Sequence, residues 1–170
     1  MVIAEGNKVI LRQIARGDLT AASAHLFTLS IVEPLTDLAR LTEVWEQTGC
    51  WGQDAGAVAI VERASGRMVG TMQFYRAAPC IHGYELGYIL HDDADRGKGY
   101  AAQGTRLLTA WLWAERPNCH RLQLLIDVDN APSWRMAEAC GYQREGVLAK
   151  SGFDPDDPED CYVYAQVRSR

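Results

Sequence analysis

The stretch from Asp95 to Leu108, DRGKGYAAQGTRLL, places glycines beside basic residues just before an apolar helical pattern. Gly97 and Gly99 carry no Cβ, so the backbone there can turn tightly and bring its N–H groups close to a ligand. Unpaired amides and the positive end of the following helix favour a phosphate, and Arg96 and Lys98 add positive charge. On spacing alone, a solvated turn fits this stretch equally well.

Two common glycine signatures differ from this one. The P-loop pattern G-x-x-x-x-G-K-[ST] is absent from the chain. The dinucleotide pattern G-x-G-x-x-G needs a third glycine at a spacing that Gly104 does not meet. Neither of these phosphate-binding motifs is therefore predicted.

The glycine stretch and its neighbours together resemble a known family. Residues 96–101, RGKGYA, match the pattern [RQ]-x-x-G-x-[GA], with YELGYIL before it and NAPSWRMAEACGYQREGVL after it. This combination resembles the GNAT N-acetyltransferases, and most of all the branch of ribosomal-protein N-terminal acetyltransferases. The likeness runs from the first predicted strand to YVYA at 162–165. It implies acetyl-CoA as the acyl donor, with its pyrophosphate on the amides of residues 97–101.

The resemblance also implies how the donor is held. Strands at 84–90 and 122–127 are expected to diverge, so that the pantetheine arm lies between them and pairs with free backbone groups of Ile89 and Leu90. The same backbone N–H groups would stabilise the oxyanion of the tetrahedral intermediate. The residues expected to bind the donor are Ile89, Leu90, Arg96, Gly97, Lys98, Gly99, Tyr100, Ala101, Asn130 and Ser133.

A general base is expected beside this cleft, because an acceptor amine is mostly protonated near neutral pH. The family commonly carries a glutamate at the position of Glu85, in YELGY. Strand alternation places Glu85 on the same face as Gly87 and Ile89, so its carboxylate can face the cleft. The alternative is an ordinary polar residue on a strand face.

A hydroxyl is expected to stabilise the departing thiolate. Ser133 matches the serine of the family's N-x-x-S positions, which begin here at Asn130. Helix capping alone would also explain these two residues. Tyr142, Tyr162 and Tyr164 are substitutes for Ser133, although tyrosines in strands more often belong to a core.

The surrounding pattern predicts a mixed α/β fold. With the resemblance, the prediction is one GNAT-like domain over 1–170, whose mostly antiparallel sheet has six to seven strands, about four flanking helices and a central splay. The predicted order is a strand at 7–14, helices at 17–27 and 33–49, strands at 57–63, 67–76 and 81–90, a helix reaching Glu115, a strand at 120–128, a helix at 130–142, and strands at 142–150 and 161–169.

Composition narrows the classes of function. The net charge of −5 and pI near 5.3 offer no basic field for nucleic acid. Apolar residues form no membrane-spanning run, and the start lacks a secretory pattern, so a cytoplasmic location without membrane contact is expected. Five dispersed cysteines and four histidines show no metal spacing, so free thiols and no metal are expected.

The predicted reaction is direct transfer of acetyl from acetyl-CoA to a primary amine, without a covalent acyl-enzyme. The acceptor is either a protein N-terminal α-amine or a small molecule such as an antibiotic-type amine or a polyamine. A non-catalytic acyl-CoA-binding module is the alternative of another class. Segment 29–41 is expected to form one wall of the acceptor site, with segment 151–161, which contains the acidic loop 154–160, as a possible second wall. Both a monomer and a homodimer remain open.

Overall fold

The computed structural model describes residues 1–25, 27–30, 35, 37–152, 156 and 158–168. These residues form eight strands, four α-helices and two 3-10 helices. The strands are β1 (Val2–Glu5), β2 (Val9–Gln13), β3 (Ala55–Glu62), β4 (Met68–Ala78), β5 (Ile81–Leu90), β6 (Arg121–Asp127), β7 (Gln143–Leu148) and β8 (Cys161–Val167). The α-helices are α1 (Leu19–Ser23), α2 (Leu38–Thr48), α3 (Tyr100–Glu115) and α4 (Ala131–Ala139), and the 3-10 helices are Arg16–Asp18 and Asp93–Asp95.

All eight strands belong to one sheet in the order β1-β2-β3-β4-β5-β6-β8-β7. The pair β5 and β6 is parallel and the other neighbouring pairs are antiparallel. The mixed, mostly antiparallel α/β fold is thereby confirmed. The number of strands exceeds the expected six to seven because β1 was not predicted. It is a four-residue edge strand, too short to show a clear alternation of apolar and polar residues.

The parallel pair at the centre of the sheet ends early. Gly83, Tyr84 and Glu85 pair with Arg121, Leu122 and Gln123, and the register stops there. Both strands are described to their ends and run on to Leu90 and Asp127 without pairing to each other. They therefore diverge and leave a V-shaped opening, which confirms the predicted central splay.

Helices cover both faces of the sheet because side chains along each strand point alternately to opposite sides. In β3, Val58 and Ile60 pack into a core with α3, whereas Ala57 and Ala59 pack into a second core with α1 and α2. The first core includes Leu11, Phe74, Leu108, Leu112, Leu122 and Tyr164, and the second includes Leu19, Ala22, Phe27 and Leu41. Both faces of β3 are thus covered by packed side chains.

Two simple properties accompany the fold. All five cysteine positions are described, and each carries a free thiol. In the described part of the chain, none of the helices is both long enough and apolar enough to cross a bilayer.

Candidate active site

A cavity of about 700 Å³ opens into the V between β5 and β6. It reaches from Glu85, near the last parallel pair, to the first turns of α3 and α4. Its lining brings together the expected base and nine of the ten residues expected to bind the donor, all except Lys98. The lining includes Thr28, Gln73, Tyr75, Glu85, Gly87, Tyr88, Ile89, Leu90, Arg96, Gly97, Gly99, Tyr100, Ala101, Ala102, Asp127, Asn130, Ser133 and Arg135.

At the wide end of the cavity, the glycine loop adopts a backbone that only glycine takes easily. Gly97 has φ +75° and Gly99 has φ +83°, and α3 begins directly after Gly99. Helix α3 is described throughout; no side chain caps its N-terminus, and its first turn holds no acidic residue. The free amides of the turn that starts at Tyr100 are therefore left to a ligand in the cavity.

A buried carboxylate supports the glycine loop. Asp95 accepts two hydrogen bonds from the Arg67 guanidinium, both 2.8 Å, and one from Lys98 Nζ at 3.0 Å. Its side chain is 2% exposed, and the hydrogen bonds from Arg67 lower the pKa of this carboxyl to about 2. Asp95 therefore stays charged and fixes the loop at ordinary pH.

The two basic residues of the loop have different surroundings. Lys98 is absent from the residues lining the cavity and neutralises Asp95 instead. The side chain of Arg96 is exposed, lies 2.9 Å from Asp93 and lines the cavity. Of the two charges expected beside the pyrophosphate, the structure brings Arg96 to the cavity and directs Lys98 into the support of the loop.

Two further contacts tie the loop to the sheet. Lys8 Nζ donates to the carbonyl oxygen of Lys98 at 2.8 Å. The Tyr100 hydroxyl donates to the carboxylate of Glu62 at the end of β3. The aromatic ring of Tyr100 is thereby anchored to the sheet. Its backbone remains as the part of this residue that an acyl donor could contact.

At the narrow end, two donors hold the carboxylate of Glu85, which is 6% exposed. The Tyr75 hydroxyl donates to Oε1 at 2.6 Å, and Gln123 Nε2 donates to Oε2 at 3.0 Å. Burial and the neighbouring carboxylate raise the pKa of Tyr75 above its ordinary value, so the hydroxyl remains a donor. The two bonds fix the orientation of Glu85 and leave further lone pairs on its oxygens.

An ion pair at the edge of the sheet orients Gln123 in turn. Arg121 Nε donates to Gln123 Oε1 at 2.9 Å, so the amide nitrogen must face Glu85. The guanidinium of Arg121 also donates to both carboxylate oxygens of Glu145, at 3.1 and 2.6 Å. No sequence motif marks Tyr75 or Gln123, because only the register of β4, β5 and β6 brings them to Glu85.

The predicted hydroxyl lies at the start of α4. Ser133 Oγ is 2.7 Å from the Tyr88 hydroxyl, and both residues line the cavity. Asn130 Oδ1 accepts the Ser133 N–H at 3.3 Å, so this asparagine caps the helix and also lies at the cavity. Burial raises the pKa of Tyr88, which keeps its hydroxyl protonated. Tyr88 is a cavity residue that sequence reasoning missed.

The backbone of β5 separates the two residues expected to pair with the pantetheine arm. The His91 N–H donates to the Val69 carbonyl on β4 at 3.0 Å. Backbone groups two residues apart point the same way, so those of Ile89 also face β4. The backbone groups of Leu90 and Tyr88 point instead to the open side of the V. Ile89 contributes its side chain to the cavity, and Leu90 carries the free backbone.

None of the three tyrosines considered as substitutes for Ser133 lines the cavity. Tyr142 is buried and shares a 2.6 Å hydrogen bond with Thr109. The Tyr164 hydroxyl donates to Glu138 at 2.8 Å, and the guanidinium of Arg144 covers the ring of Tyr162. Their hydroxyls and rings thus serve the packing of α3, α4, β7 and β8.

The expected acceptor walls are described in part. In segment 29–41, residues 31–34 and 36 lie outside the described residues, while Thr28, just before it, lines the cavity. In loop 154–160, residues 154, 155 and 157 lie outside the described residues. Asp160 accepts the Lys150 N–H at 3.0 Å, and no described residue of this loop lines the cavity.

Comparisons with known proteins identify the family of this chain. The acetyltransferase (GNAT) domain family matches residues 8–143. The uncharacterized N-acetyltransferase YnaD of Bacillus subtilis is 27% identical over 114 residues, covering 67% of this chain and 65% of that protein. The ribosomal-protein-serine acetyltransferase of Escherichia coli is 29% identical over 100 residues, covering 59% of this chain and 55% of that protein. These alignments thus span less than two thirds of either relative.

A solved structure shows the same fold. The spermidine/spermine N-acetyltransferase SpeG of Vibrio cholerae superposes with a TM-score of 0.75 at 20% sequence identity, covering 94% of this chain and 92% of that one. Among the described residues of the present chain, no group of three or more His, Cys, Asp or Glu side chains could hold a metal ion. The family match, which spans most of the chain, and the shared fold show that this chain belongs to the GNAT acetyltransferases.

Proposed function

We propose that this chain is a single-domain N-acetyltransferase, over 1–170, that moves the acetyl group of acetyl-CoA to a primary amine. The observation that carries the proposal is one cavity with complementary ends. A glycine loop and a helix N-terminus suit a pyrophosphate at one end, and a buried, oriented carboxylate lies at the other. Family members use acetyl-CoA as cosubstrate, and the residues of this cavity fit it.

The donor would lie along the V with its pyrophosphate on the amides of residues 97–101. Arg96 supplies the positive charge, while Lys98 supports the loop through Asp95. The pantetheine arm would pair with the free backbone groups of Leu90 and Tyr88, in place of the missing β6 partner. Ser133 and Asn130 flank the arm from α4. This placement brings the thioester toward Glu85.

Transfer needs a base, donors for the oxyanion and a proton for the thiolate. Glu85 accepts a proton from the ammonium group, directly or through a water molecule, so that the nitrogen can attack the carbonyl carbon. The backbone N–H groups of Leu90 and Tyr88 stabilise the negative charge on the carbonyl oxygen. When the C–S bond breaks, the Ser133 hydroxyl donates toward the sulfur, and the Tyr88 hydroxyl bonded to it holds it in place. These steps require no metal and no covalent acyl-enzyme.

The charges of the cavity suit a cationic acceptor. Its charged lining residues among those described are Glu85, Arg96, Asp127 and Arg135. The two arginines lie on the glycine loop and α4, where the donor's phosphates belong, and Glu85 lies at the narrow end. The relatives' names point to two kinds of amine, a ribosomal-protein serine and spermidine.

Free thiols at all five cysteines fit a reducing cytoplasmic location.

The test is an acceptor screen with the purified chain and acetyl-CoA. Free thiol release and product mass are measured with peptides bearing free N-termini, with polyamines and with amine antibiotics. We expect at least one amine to gain an acetyl group with stoichiometric release of CoA. Binding of acetyl-CoA without transfer to any of these acceptors would contradict the proposal and favour an acyl-CoA-binding module.

A further inference from the structure

A buried amide lies beside the expected base and faces the cavity. Gln73 on β4 is 3% exposed and lines the cavity. The register pairs Gln73 with Gly87 and Tyr75 with Glu85, so Gln73 and Glu85 are diagonal neighbours on one face of the sheet. Nothing in the donor site or in the base mechanism uses Gln73.

The orientation of this amide is set by its nitrogen. Gln73 Nε2 donates to Thr71 Oγ1 at 3.3 Å, and Thr71 is fully buried. Within the described part of the chain, Gln73 Oε1 has no hydrogen-bond partner. This oxygen is open to the cavity, where an N–H group of a bound ligand can reach it.

The space occupied by this oxygen exists because residue 87 is glycine. A Cβ on Gly87 would lie 3.2 Å from Gln73 Oε1, which is closer than such contacts normally are. Gly87 therefore lets the carboxamide oxygen extend over β5 and into the cavity, two residues along the strand from Glu85. The oxygen of Gln73 and the carboxylate of Glu85 thus form two hydrogen-bond acceptors of different basicity on one wall.

The chemistry of an amine acceptor fits two such acceptors. A primary ammonium carries three N–H bonds: one proton leaves before attack, a second leaves the tetrahedral adduct, and the third remains in the product amide. Glu85 suits a proton that leaves, because a carboxylate can take it. A carboxamide oxygen accepts a hydrogen bond without taking the proton at neutral pH, so Gln73 suits the N–H that remains.

We propose that Gln73, seated over Gly87, orients the acceptor amine and selects primary amines over N-alkylated ones. This inference rests on the proposed function and assigns a specificity-determining residue within it. When the C–N bond forms and the C–S bond breaks, Glu85 passes one amine proton to solvent, the other departing proton ends on the thiol, and Gln73 Oε1 keeps its N–H. A secondary amine would place an alkyl group against this oxygen.

The experiment compares kcat/KM for matched amine pairs. The pairs are a seryl peptide and its N-methylseryl form, and 1,4-diaminobutane and its N,N′-dimethyl form. The wild-type chain should prefer the primary amine. Gln73→Leu should narrow that preference by about 10-fold by lowering kcat/KM for the primary amine, since the hydrogen bond from this amine to the carboxamide oxygen is lost. The dissociation constant of CoA should stay within about twofold.

Two further variants serve as a second test and as a control. Gly87→Ala keeps the amide but displaces Oε1, and should narrow the preference by less than Gln73→Leu. Gln166→Leu is a matched control, because Gln166 bonds Trp113 and the Cys140 carbonyl outside the cavity and should leave the preference unchanged. If Gln73→Leu does not fold, Gly87→Ala alone decides.

The outcomes separate the two proposals. Transfer to an amine with the same primary-to-secondary preference in wild type, Gln73→Leu and Gly87→Ala overturns the role of Gln73 and leaves the acetyltransferase intact. An equal loss of kcat/KM on both amines of a pair in Gln73→Leu also overturns the role of Gln73. Failure of the wild-type chain to acetylate any amine removes the proposed function, and this inference with it.

Discussion

The two ends of the cavity are built in contrasting ways. At the wide end, the groups proposed to bind the phosphates come from one continuous stretch, residues 96–102, and the ion pairs of Asp95 fix its shape. At the narrow end, the polar groups come from β4, β5 and β6, and register alone brings them together. In the proposed mechanism, donor binding is thus a local property of the chain, whereas handling of the acceptor depends on the assembled sheet.

The largest effect is expected at the narrow end. Glu85→Gln keeps the shape and the hydrogen bond from Tyr75 but removes the proton acceptor, so kcat/KM should fall by about 100- to 10,000-fold. CoA affinity, measured by calorimetry, should change by less than about twofold, because the wide end is untouched. Equal losses of turnover and CoA affinity would mean that the two ends are not separable.

A smaller effect is expected at the wide end, where a substitution should weaken CoA binding rather than slow turnover. Gly99→Val places a β-branched side chain at φ +83°, a conformation that costs about 1 to 3 kcal/mol. The loop must shift, and the dissociation constant of CoA should rise by about 10- to 100-fold. A variant that folds and binds CoA with wild-type affinity would remove the loop from the binding site.

The support of the loop can be tested through stability. Asp95→Asn should lower the free energy of unfolding by about 1 to 3 kcal/mol at pH 7, because charged hydrogen bonds to Arg67 and Lys98 are lost. The folded pKa of about 2 lies below the usual value, so this stabilisation is present above about pH 4 and is lost as pH falls toward 2.

Denaturant titrations of the wild type and Asp95→Asn at several pH values measure this contribution. The two proteins should differ most at neutral pH and converge in acid. A constant difference between them from pH 7 down to pH 3 would speak against a charged Asp95 as the support of the loop.

The smallest effects distinguish the two basic residues of the loop. Arg96→Ala should weaken CoA binding by about threefold, with a salt-dependent loss, because the side chain is exposed. Lys98→Ala should change CoA affinity by less than about twofold, because the Lys98 ammonium group is paired with Asp95. The reverse order of effects, measured by titration at low and high salt, would assign the phosphate contact to Lys98.

The same contrast explains what the sequence could predict. The glycine loop, α3 and the Asn130 cap carry their signals in adjacent residues, and the structure places α3 and the cap where those signals put them. Strand β1 escaped prediction because four residues at an edge show too little pattern. Tyr75, Gln123 and Gln73 escaped because they lie 10, 38 and 12 positions from Glu85 along the chain and reach its neighbourhood only through strand pairing.

Direction of side chains was also beyond the sequence. Lys98 and Arg96 are two residues apart in a basic loop, yet one turns to the buried Asp95 and the other to the cavity. Likewise, Ile89 and Leu90 are adjacent, yet the hydrogen bond of His91 shows that their backbone groups face opposite neighbours. Sequence motifs identify the segments that border the cavity, and packing decides which of their atoms face it.

The most direct measurement compares Glu85→Gln and Gly99→Val in single-turnover transfer at saturating acetyl-CoA, with an acceptor found by the screen. Saturation compensates for weak donor binding, so Gly99→Val should approach the wild-type rate within about threefold, whereas Glu85→Gln should stay at least about 100-fold slower. Equal rates for the two variants, or a wild-type rate for Glu85→Gln, would contradict a cavity in which one end binds the donor and the other removes the proton.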